Sequence, residues 1–223
     1  MKSYNEETIK LLNDSILLDE FDDVLQNKTA YEGRISGGDV LKGIVKRVGY
    51  NLTGPLTLLN TGAGSYDIAK IWKGIPLNNI FDLEPCPQRK TDSALEGWCE
   101  NIPLGSKAVD VILCWGVLCF VRSLPETLVQ FNRVLTPGGF LIVDTVSYTT
   151  MPLPQTCHPE SFVRYASMFG FNLFEMNPFG PNHHRRVGFL FRKDEEFNPA
   201  RMRMPQSTGE IKNYLPERDW YLK

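Results

Sequence analysis

The feature that most constrains this chain is a turn rich in small residues at positions 57–67, Thr-Leu-Leu-Asn-Thr-Gly-Ala-Gly-Ser-Tyr-Asp. An apolar run that ends in two glycines one residue apart predicts a buried strand turning sharply into a helix. A second apolar run, Ile80-Phe81-Asp82-Leu83, follows it and contains an acid. Open α/β sheets bind nucleosides with this arrangement, because glycine lets a ligand approach the backbone and a carboxylate can accept both hydrogens of a ribose diol.

The rest of the chain continues the alternation of strand and helix patterns. Strands are predicted at 56–60, 79–83, 95–99, 109–115, 139–145, 171–176 and 186–192, and helices from about residue 66 and at 124–135 and 159–169. The motif Pro137-Gly138-Gly139 is expected to end the helix before it and to turn the chain. Such alternation predicts an α/β fold with a parallel sheet.

Composition excludes several classes of function. The 223 residues carry a formal net charge of −2, so no bulk positive field favours nucleic acid as a partner. Five cysteines are an odd count without C-x-x-C spacing, so we expect neither a metal site nor a disulfide framework. We find no secretory leader pattern and no apolar run near the roughly 20 residues of a membrane span. A cytoplasmic protein is expected.

Three regions are predicted along the chain. Residues 1–50 contain helical patterns at 5–26 and 38–48, which either form a cap over the ligand or pack on the sheet. Residues 51–193 form the binding core. Residues 194–223 are a polar tail that is either disordered or docked. The N-terminal helices or the tail could mediate oligomerisation.

The segment 109–144 gives the chain a family resemblance. It reads Val-Asp-Val-Ile-Leu-Cys-Trp-Gly-Val-Leu and, after a helical stretch, Phe-Asn-Arg-Val-Leu-Thr-Pro-Gly-Gly-Phe-Leu-Ile-Val-Asp. This resembles the class I S-adenosylmethionine-dependent methyltransferases, of the methyltransferase type 11 kind, from about residue 56 to 144 and again over 158–192. The resemblance implies a Rossmann-like, seven-stranded, mostly parallel sheet with an antiparallel last strand and helices on both faces. It also implies S-adenosylmethionine as cofactor and methyl transfer to a small-molecule or sugar-type acceptor.

The same resemblance implies which residues bind the cofactor, namely Asn60, Thr61, Gly62, Ala63, Gly64, Asp82, Leu83, Trp98, Cys99 and Trp115. Two positions depart from the family pattern. Asn60 replaces an acid near the methionine moiety, and Trp98 replaces an aspartate that contacts the adenine amino group. Trp98 could instead stack on the adenine, and the backbone amide of Cys99 keeps its expected contact with the ring. Leu83 is expected beneath the adenine.

Each of these assignments has an alternative. Glu84 rivals Asp82 as the ribose acid, because it lies two residues further along the same strand. Trp98 could be a core residue. Trp115 is expected either near the sulfonium, where its ring would attract the cation, or as an aromatic plug beside the site.

No constellation identifies a general base, so the catalytic residues are unknown. His183 and His184 are weak candidates, because they lie beside Arg185 and Arg186 in the segment 177–185, which is predicted to connect the last two strands at the ligand edge. One histidine could accept a proton while an arginine holds an anionic group of the acceptor. The alternative is a solvated hairpin without a role in catalysis.

Two other functions remain open. The chain could be a catalytically silent relative with a binding or assembly role, which the exchanges at Asn60 and Trp98 favour. It could also be a nicotinamide-dependent oxidoreductase, but that requires a third glycine where Asp67 stands.

Overall fold

The computed structural model describes residues 37–52, 54–62, 72, 74–85, 93–149, 159–179 and 184–198. Its strands are β1 (Leu56–Thr61), β2 (Leu77–Glu84), β3 (Ala94–Glu96), β4 (Val109–Cys114), β5 (Leu135–Thr149), β6 (Phe171–Phe179) and β7 (His184–Lys193). Its α-helices are α1 (Gly37–Asn51), α2 (Leu124–Val134) and α3 (Pro159–Met168), and Leu118–Phe120 form one turn of 3₁₀ helix. The predicted helices at 5–26 and from about residue 66 lie outside the described residues.

The seven strands form one sheet in the order β3-β2-β1-β4-β5-β7-β6. Pairings from β3 to β5 are parallel, whereas β7 runs antiparallel to both β5 and β6. The last strand is therefore the antiparallel one, which confirms the predicted Rossmann-like sheet. From β1 the chain adds β2 and β3 on one side and then returns to add β4 on the other side of β1. The switch point, where such sheets bind ligands, therefore lies between the carboxyl ends of β1 and β4.

Helices cover both faces of the sheet, as predicted. The apolar side of α1, with Leu41, Ile44, Val45 and Val48, packs with Leu58, Val111 and Ile142 on one face. Apolar residues of α2 and α3 pack with alternate strand residues on the other face, among them Phe131, Phe162 and Phe189. Two buried layers explain why β4 and the middle of β5 are nearly continuous apolar runs.

The segment around Pro137-Gly138-Gly139 differs from the prediction. Helix α2 ends at Val134, but β5 already begins at Leu135 rather than at residue 139. The β4–β5 register shifts from Val109↔Leu135 to Val111↔Phe140, so the Pro-Gly-Gly motif forms an irregularity within the strand. Gly138 has a φ of +77°, which accounts for glycine there.

The last two strands are also longer than predicted. β6 extends to Phe179, and β7 begins at His184. The interpretation of 177–185 as one connecting loop was therefore wrong for both of its ends. Periodicity missed these residues because Pro178 and a polar run interrupt the apolar pattern, whereas the pairing Thr149↔His184 extends the ladder.

The beginning of the predicted tail packs on the core. Phe197 stacks on Phe169 with ring centroids 5.3 Å apart, and its backbone N–H donates to Asn132 Oδ1 at 3.0 Å. Residues 199–223 lie outside the described residues. None of the helices that the structure describes is long and apolar enough to cross a membrane.

Candidate functional site

The carboxyl ends of β1 and β2 bring Asn60 and Asp82 together. The two residues are paired in the parallel register, and Asn60 Nδ2 donates to Asp82 Oδ1 at 2.8 Å. Asn60 is buried, whereas Asp82 is only partly buried. Sequence spacing predicted that both residues lie at this edge, but the direct hydrogen bond between them follows only from the register.

Gly62 makes the turn that follows β1. Its φ is +66°, a conformation that favours glycine, and its N–H donates to the carbonyl of Leu83 at 2.9 Å. A Cβ at Gly62 would lie 2.3 Å from Cγ2 of Val117. Glycine is therefore required both by the backbone conformation and by the close packing of Val117. The preceding Thr61 is buried and donates to the carbonyl of Leu113 at 3.2 Å, which ties the turn to β4.

The interior beneath this edge contains Leu83 and Cys99, both buried. The thiol of Cys114 donates a hydrogen bond to the sulfur of Cys99, and this hydrogen bond lowers the pKa of Cys99. The same hydrogen bond and complete burial raise the pKa of Cys114 well above its ordinary value. The side chain of Cys99 thus points at β4, and only its backbone amide is left for the predicted adenine contact.

Trp98 lies at the rim of the site rather than in the core. Its side chain is exposed, and the guanidinium carbon of Arg122 lies 4.1 Å from its ring centroid. Glu100 Oε1 accepts from the backbone N–H groups of Arg122 and Ser123 at 2.5 and 3.1 Å, which fixes the segment that carries this arginine. The arrangement argues against the core alternative, and one ring face is taken by Arg122.

Trp115 follows β4 and points to the face covered by α1. It stacks on Phe179 with ring centroids 5.2 Å apart and planes 9° apart, and its ring tip would lie 2.7 Å from a Cβ at Gly188. This packing corresponds to an aromatic plug beside the site. Contact with a sulfonium stays a prediction.

An ion pair that sequence reasoning did not single out lies next to this plug. Arg186 Nη2 contacts Asp144 Oδ2, and Asp144 Oδ1 accepts from the N–H of Gly116 at 2.5 Å. Burial raises the pKa of Asp144, and the charge of Arg186 opposes that shift. The sequence shows that Asp144 is a polar residue after an apolar run in β5. Which residue pairs with Asp144 depends on the register of β5 and β7.

The other predicted residues are not brought into the site by the described structure. Ala63, Gly64 and His183 lie outside the described residues. His184 is the first residue of β7 rather than a loop residue, so its position at the carboxyl edge is retained while its loop context is corrected. Across the described ranges, no group of three His, Cys, Asp or Glu residues could hold a metal ion.

The polar groups at the carboxyl ends of β1 and β2 fit a nucleoside. Asp82 ends in a partly exposed carboxylate, and only its Oδ1 has a side-chain partner among the described residues. The second oxygen can accept from a ribose hydroxyl, and the left-handed turn at Gly62 lies on the neighbouring strand end. Glu84, the rival acid, has an interaction partner of its own and lies beyond Asp82 on β2.

Comparison with known proteins agrees with this geometry. The family described as "Methyltransferase domain" matches residues 60–143. A curated malonyl-[acyl-carrier protein] O-methyltransferase from Pectobacterium atrosepticum is 28% identical over 99 residues. That match spans 41% of this chain and only 39% of the relative, so the chain matches well under two thirds of that protein.

Solved structures share the fold at low identity. The [4+2]-cyclase SpnF is 16% identical, with a TM-score of 0.58 over 74% of this chain and 85% of its own. The 1,6-didemethyltoxoflavin-N1-methyltransferase of Burkholderia thailandensis, solved with S-adenosylhomocysteine, is 12% identical, with a TM-score of 0.56 over 87% of this chain and 92% of its own. The predicted family and its cofactor, S-adenosylmethionine, are borne out by these comparisons together. The match to the methyltransferase-domain family covers residues 60–143, which is less than half of the chain.

Proposed function

We propose that this protein transfers a methyl group from S-adenosylmethionine to a small-molecule or sugar-type acceptor. The observation that carries the proposal is the Asn60–Asp82 hydrogen bond beside the left-handed Gly62, at the strand ends where the methyltransferase domain match begins. When bound, S-adenosylmethionine supplies an electrophilic methyl group on its sulfonium sulfur.

The residues of the chain bind and orient the cofactor in this proposal. Asp82 accepts hydrogen bonds from the ribose diol, while Asn60 holds the carboxylate in place through its 2.8 Å hydrogen bond. The backbone amide of Cys99 and the rim residue Trp98 contact the adenine. Gly62 has no side chain, so the methionine moiety can approach the backbone of the turn closely.

The acceptor approaches from the edge formed by the carboxyl ends of β4 and β5 and the amino end of β7. Methyl transfer is an in-line displacement, so the protein mainly aligns the acceptor atom and excludes water. His183 and His184 stay the candidate bases for a hydroxyl acceptor, because β7 begins at this edge. A cytoplasmic location, and oligomerisation through the N-terminal helices or the tail, remain predictions.

A catalytically silent, cofactor-binding or assembly role is the second candidate. One observation favours it: the amide nitrogen of Asn60 is committed to Asp82, and an amide lacks the negative charge that the family acid offers a methionine ammonium. The structural likeness to a [4+2]-cyclase also shows that this fold by itself does not fix the reaction.

Two measurements separate these functions. Calorimetric titration of the full chain with S-adenosylhomocysteine tests the cofactor site directly, and absence of binding contradicts the proposal. Transfer of a radiolabelled methyl group from S-adenosylmethionine to a panel of small carboxylic acids, amines and sugars then tests catalysis. Tight binding without transfer to any acceptor supports the silent alternative.

A further inference from the structure

The ion pair of Arg186 and Asp144 has no part in the cofactor contacts described above. Asp144 has a fully buried side chain, accepts from Gly116 N–H at 2.5 Å and contacts Arg186 Nη2. The three residues follow or belong to β4, β5 and β7. Because β1 separates these strands from β2 in the sheet, the pair lies on the far side of β1 from Asp82.

The guanidinium lies next to the turn that ends β4. Its Nη2 would lie 3.6 Å from a Cβ at Gly116, which has a φ of +78°. Its central carbon is 5.8 Å from the ring centroid of Phe179. The side chain of Arg186 is 22% exposed, so it can reach a ligand bound at this edge.

Within the described part of the chain, few partners are seen for the N–H groups of Arg186. A guanidinium has five N–H donors. Nη2 contacts Asp144, while the buried Nε has no hydrogen-bond partner among the described residues. A buried donor without a partner is unfavourable. An anion at this edge would accept from guanidinium N–H groups that Asp144 leaves free, and Asp144 already holds the guanidinium in position.

We propose that Arg186 binds an anionic group of the methyl acceptor, a carboxylate or a phosphate, beside the carboxyl end of β4. Asp144 is the positioning residue that orients the guanidinium. This inference rests on the proposed function, since it names the chemical class of the acceptor at the same site. Arg186 thereby selects acidic acceptors over neutral ones of the same shape.

The test is a calorimetric titration of the full chain saturated with S-adenosylhomocysteine. The probes are malonate, inorganic phosphate and the neutral malonamide, and the two anions distinguish carboxylate from phosphate recognition. We expect saturable binding of at least one anion and none of malonamide. Arg186→Gln should weaken that anion about tenfold or more, the effect of losing a charge-assisted hydrogen bond, without changing S-adenosylhomocysteine affinity.

Two variants separate recognition from folding. Arg192→Gln, at the far end of β7, removes an exposed arginine paired with Asp194 and should leave anion binding unchanged. The double variant Asp144→Asn with Arg186→Gln removes both charges, so no buried carboxylate is left unpaired. Loss of anion binding in a folded double variant that still binds S-adenosylhomocysteine supports the inference.

Three results decide against one proposal or the other. Equal anion affinity in Arg186→Gln and wild type, or no anion binding to wild type, overturns the anion site. Absence of S-adenosylhomocysteine binding contradicts the proposed function instead. In that case, titration of the ligand-free protein with the same anions still decides whether Arg186 binds them.

Discussion

Asn60 and Asp82 form a hydrogen-bonded pair across β1 and β2, with Nδ2 and Oδ1 2.8 Å apart. The pair explains how an amide can occupy a position where the family has an acid. An acid at residue 60 would lie against the Asp82 carboxylate, whereas the amide donates to it. The exchange at Asn60 therefore improves the local fit to Asp82 while removing a charge from the methionine end.

Restoring the family acid should not improve this chain. In Asn60→Asp, two carboxylates would face each other at the distance of a hydrogen bond, so one must take up a proton or repel the other. We expect the variant to be less stable than wild type, and more so at about pH 8 than at about pH 5. Urea denaturation at both pH values measures this. A pH-independent stability difference would show that the two side chains do not interact.

Removing the carboxylate of Asp82 should weaken cofactor binding without unfolding the domain. Asp82→Ala loses the proposed ribose contact, so the affinity for S-adenosylhomocysteine should fall by about 1–3 kcal/mol. Calorimetry measures the change, with Glu126→Ala as the control because that acid is exposed on α2. Unchanged affinity in Asp82→Ala would assign the ribose to Glu84 or to another residue.

Gly62 should tolerate no side chain, for two separable reasons. Its φ of +66° disfavours alanine, and a Cβ would lie 2.3 Å from Val117 Cγ2. Gly54→Ala changes a glycine with a φ of +97° in open space, so it reports backbone strain alone. We expect Gly62→Ala to reduce the free energy of unfolding by about 1–3 kcal/mol more than Gly54→Ala does.

A double-mutant cycle checks the steric part of that prediction. Val117→Ala removes the colliding methyl group, so Gly62→Ala should be less destabilising in the Val117→Ala background than in wild type. Additive changes in the free energy of unfolding would mean that Val117 moves aside at no cost.

The fold could be predicted from the sequence to within a few residues at most element ends. Strand-helix alternation and the segment around Pro137 identified the order of elements, because a parallel sheet covered on both faces requires apolar strands and amphipathic helices. The extension of β6 and β7 could not be predicted, since residues 177–186 carry no alternating pattern. These residues form strands because β5 continues to Thr149 and pairs there with the beginning of β7.

The candidate site could be predicted only in part. Asp82 and Gly62 follow from local motifs, whose spacing fixes their place at the strand ends. Pairs such as Trp98 with Arg122, and Asp144 with Arg186, join residues that are 24 and 42 positions apart, and no local pattern predicts them. Such pairs depend on strand order and register, which the sequence alone left open.

Lys193 is a structural residue whose burial in the core no sequence pattern predicts. Its ammonium is buried and donates to the carbonyls of Asn132, in the last turn of α2, and Leu135, just after it, at 2.7 and 2.9 Å. Lys193→Met removes the ammonium donor from both carbonyls, so we expect a loss of about 2–4 kcal/mol in the free energy of unfolding. Lys193 also pairs with Glu196 at 3.1 Å. Lys107→Met, which breaks an exposed contact with that same Glu196, should cost about 0–1 kcal/mol. Chemical denaturation of both variants tests the contrast, and equal losses would contradict it.

The buried carboxylate of Asp144 should give the protein a pH-dependent stability with a defined sign. Burial raises its folded-state pKa, although Arg186 opposes the shift, so the folded state retains a proton that the unfolded state has lost. The free energy of unfolding should therefore fall as the pH rises from about 4, the ordinary value for aspartate, to the folded-state pKa. Asp144→Asn removes this titration, so its stability should fall less over the same interval, whatever its absolute value. Urea denaturation of both proteins at a series of pH values compares the slopes, with Glu126→Gln as an exposed-acid control. Parallel curves for wild type and Asp144→Asn would show that Arg186 and the Gly116 N–H fully compensate the burial of this carboxylate.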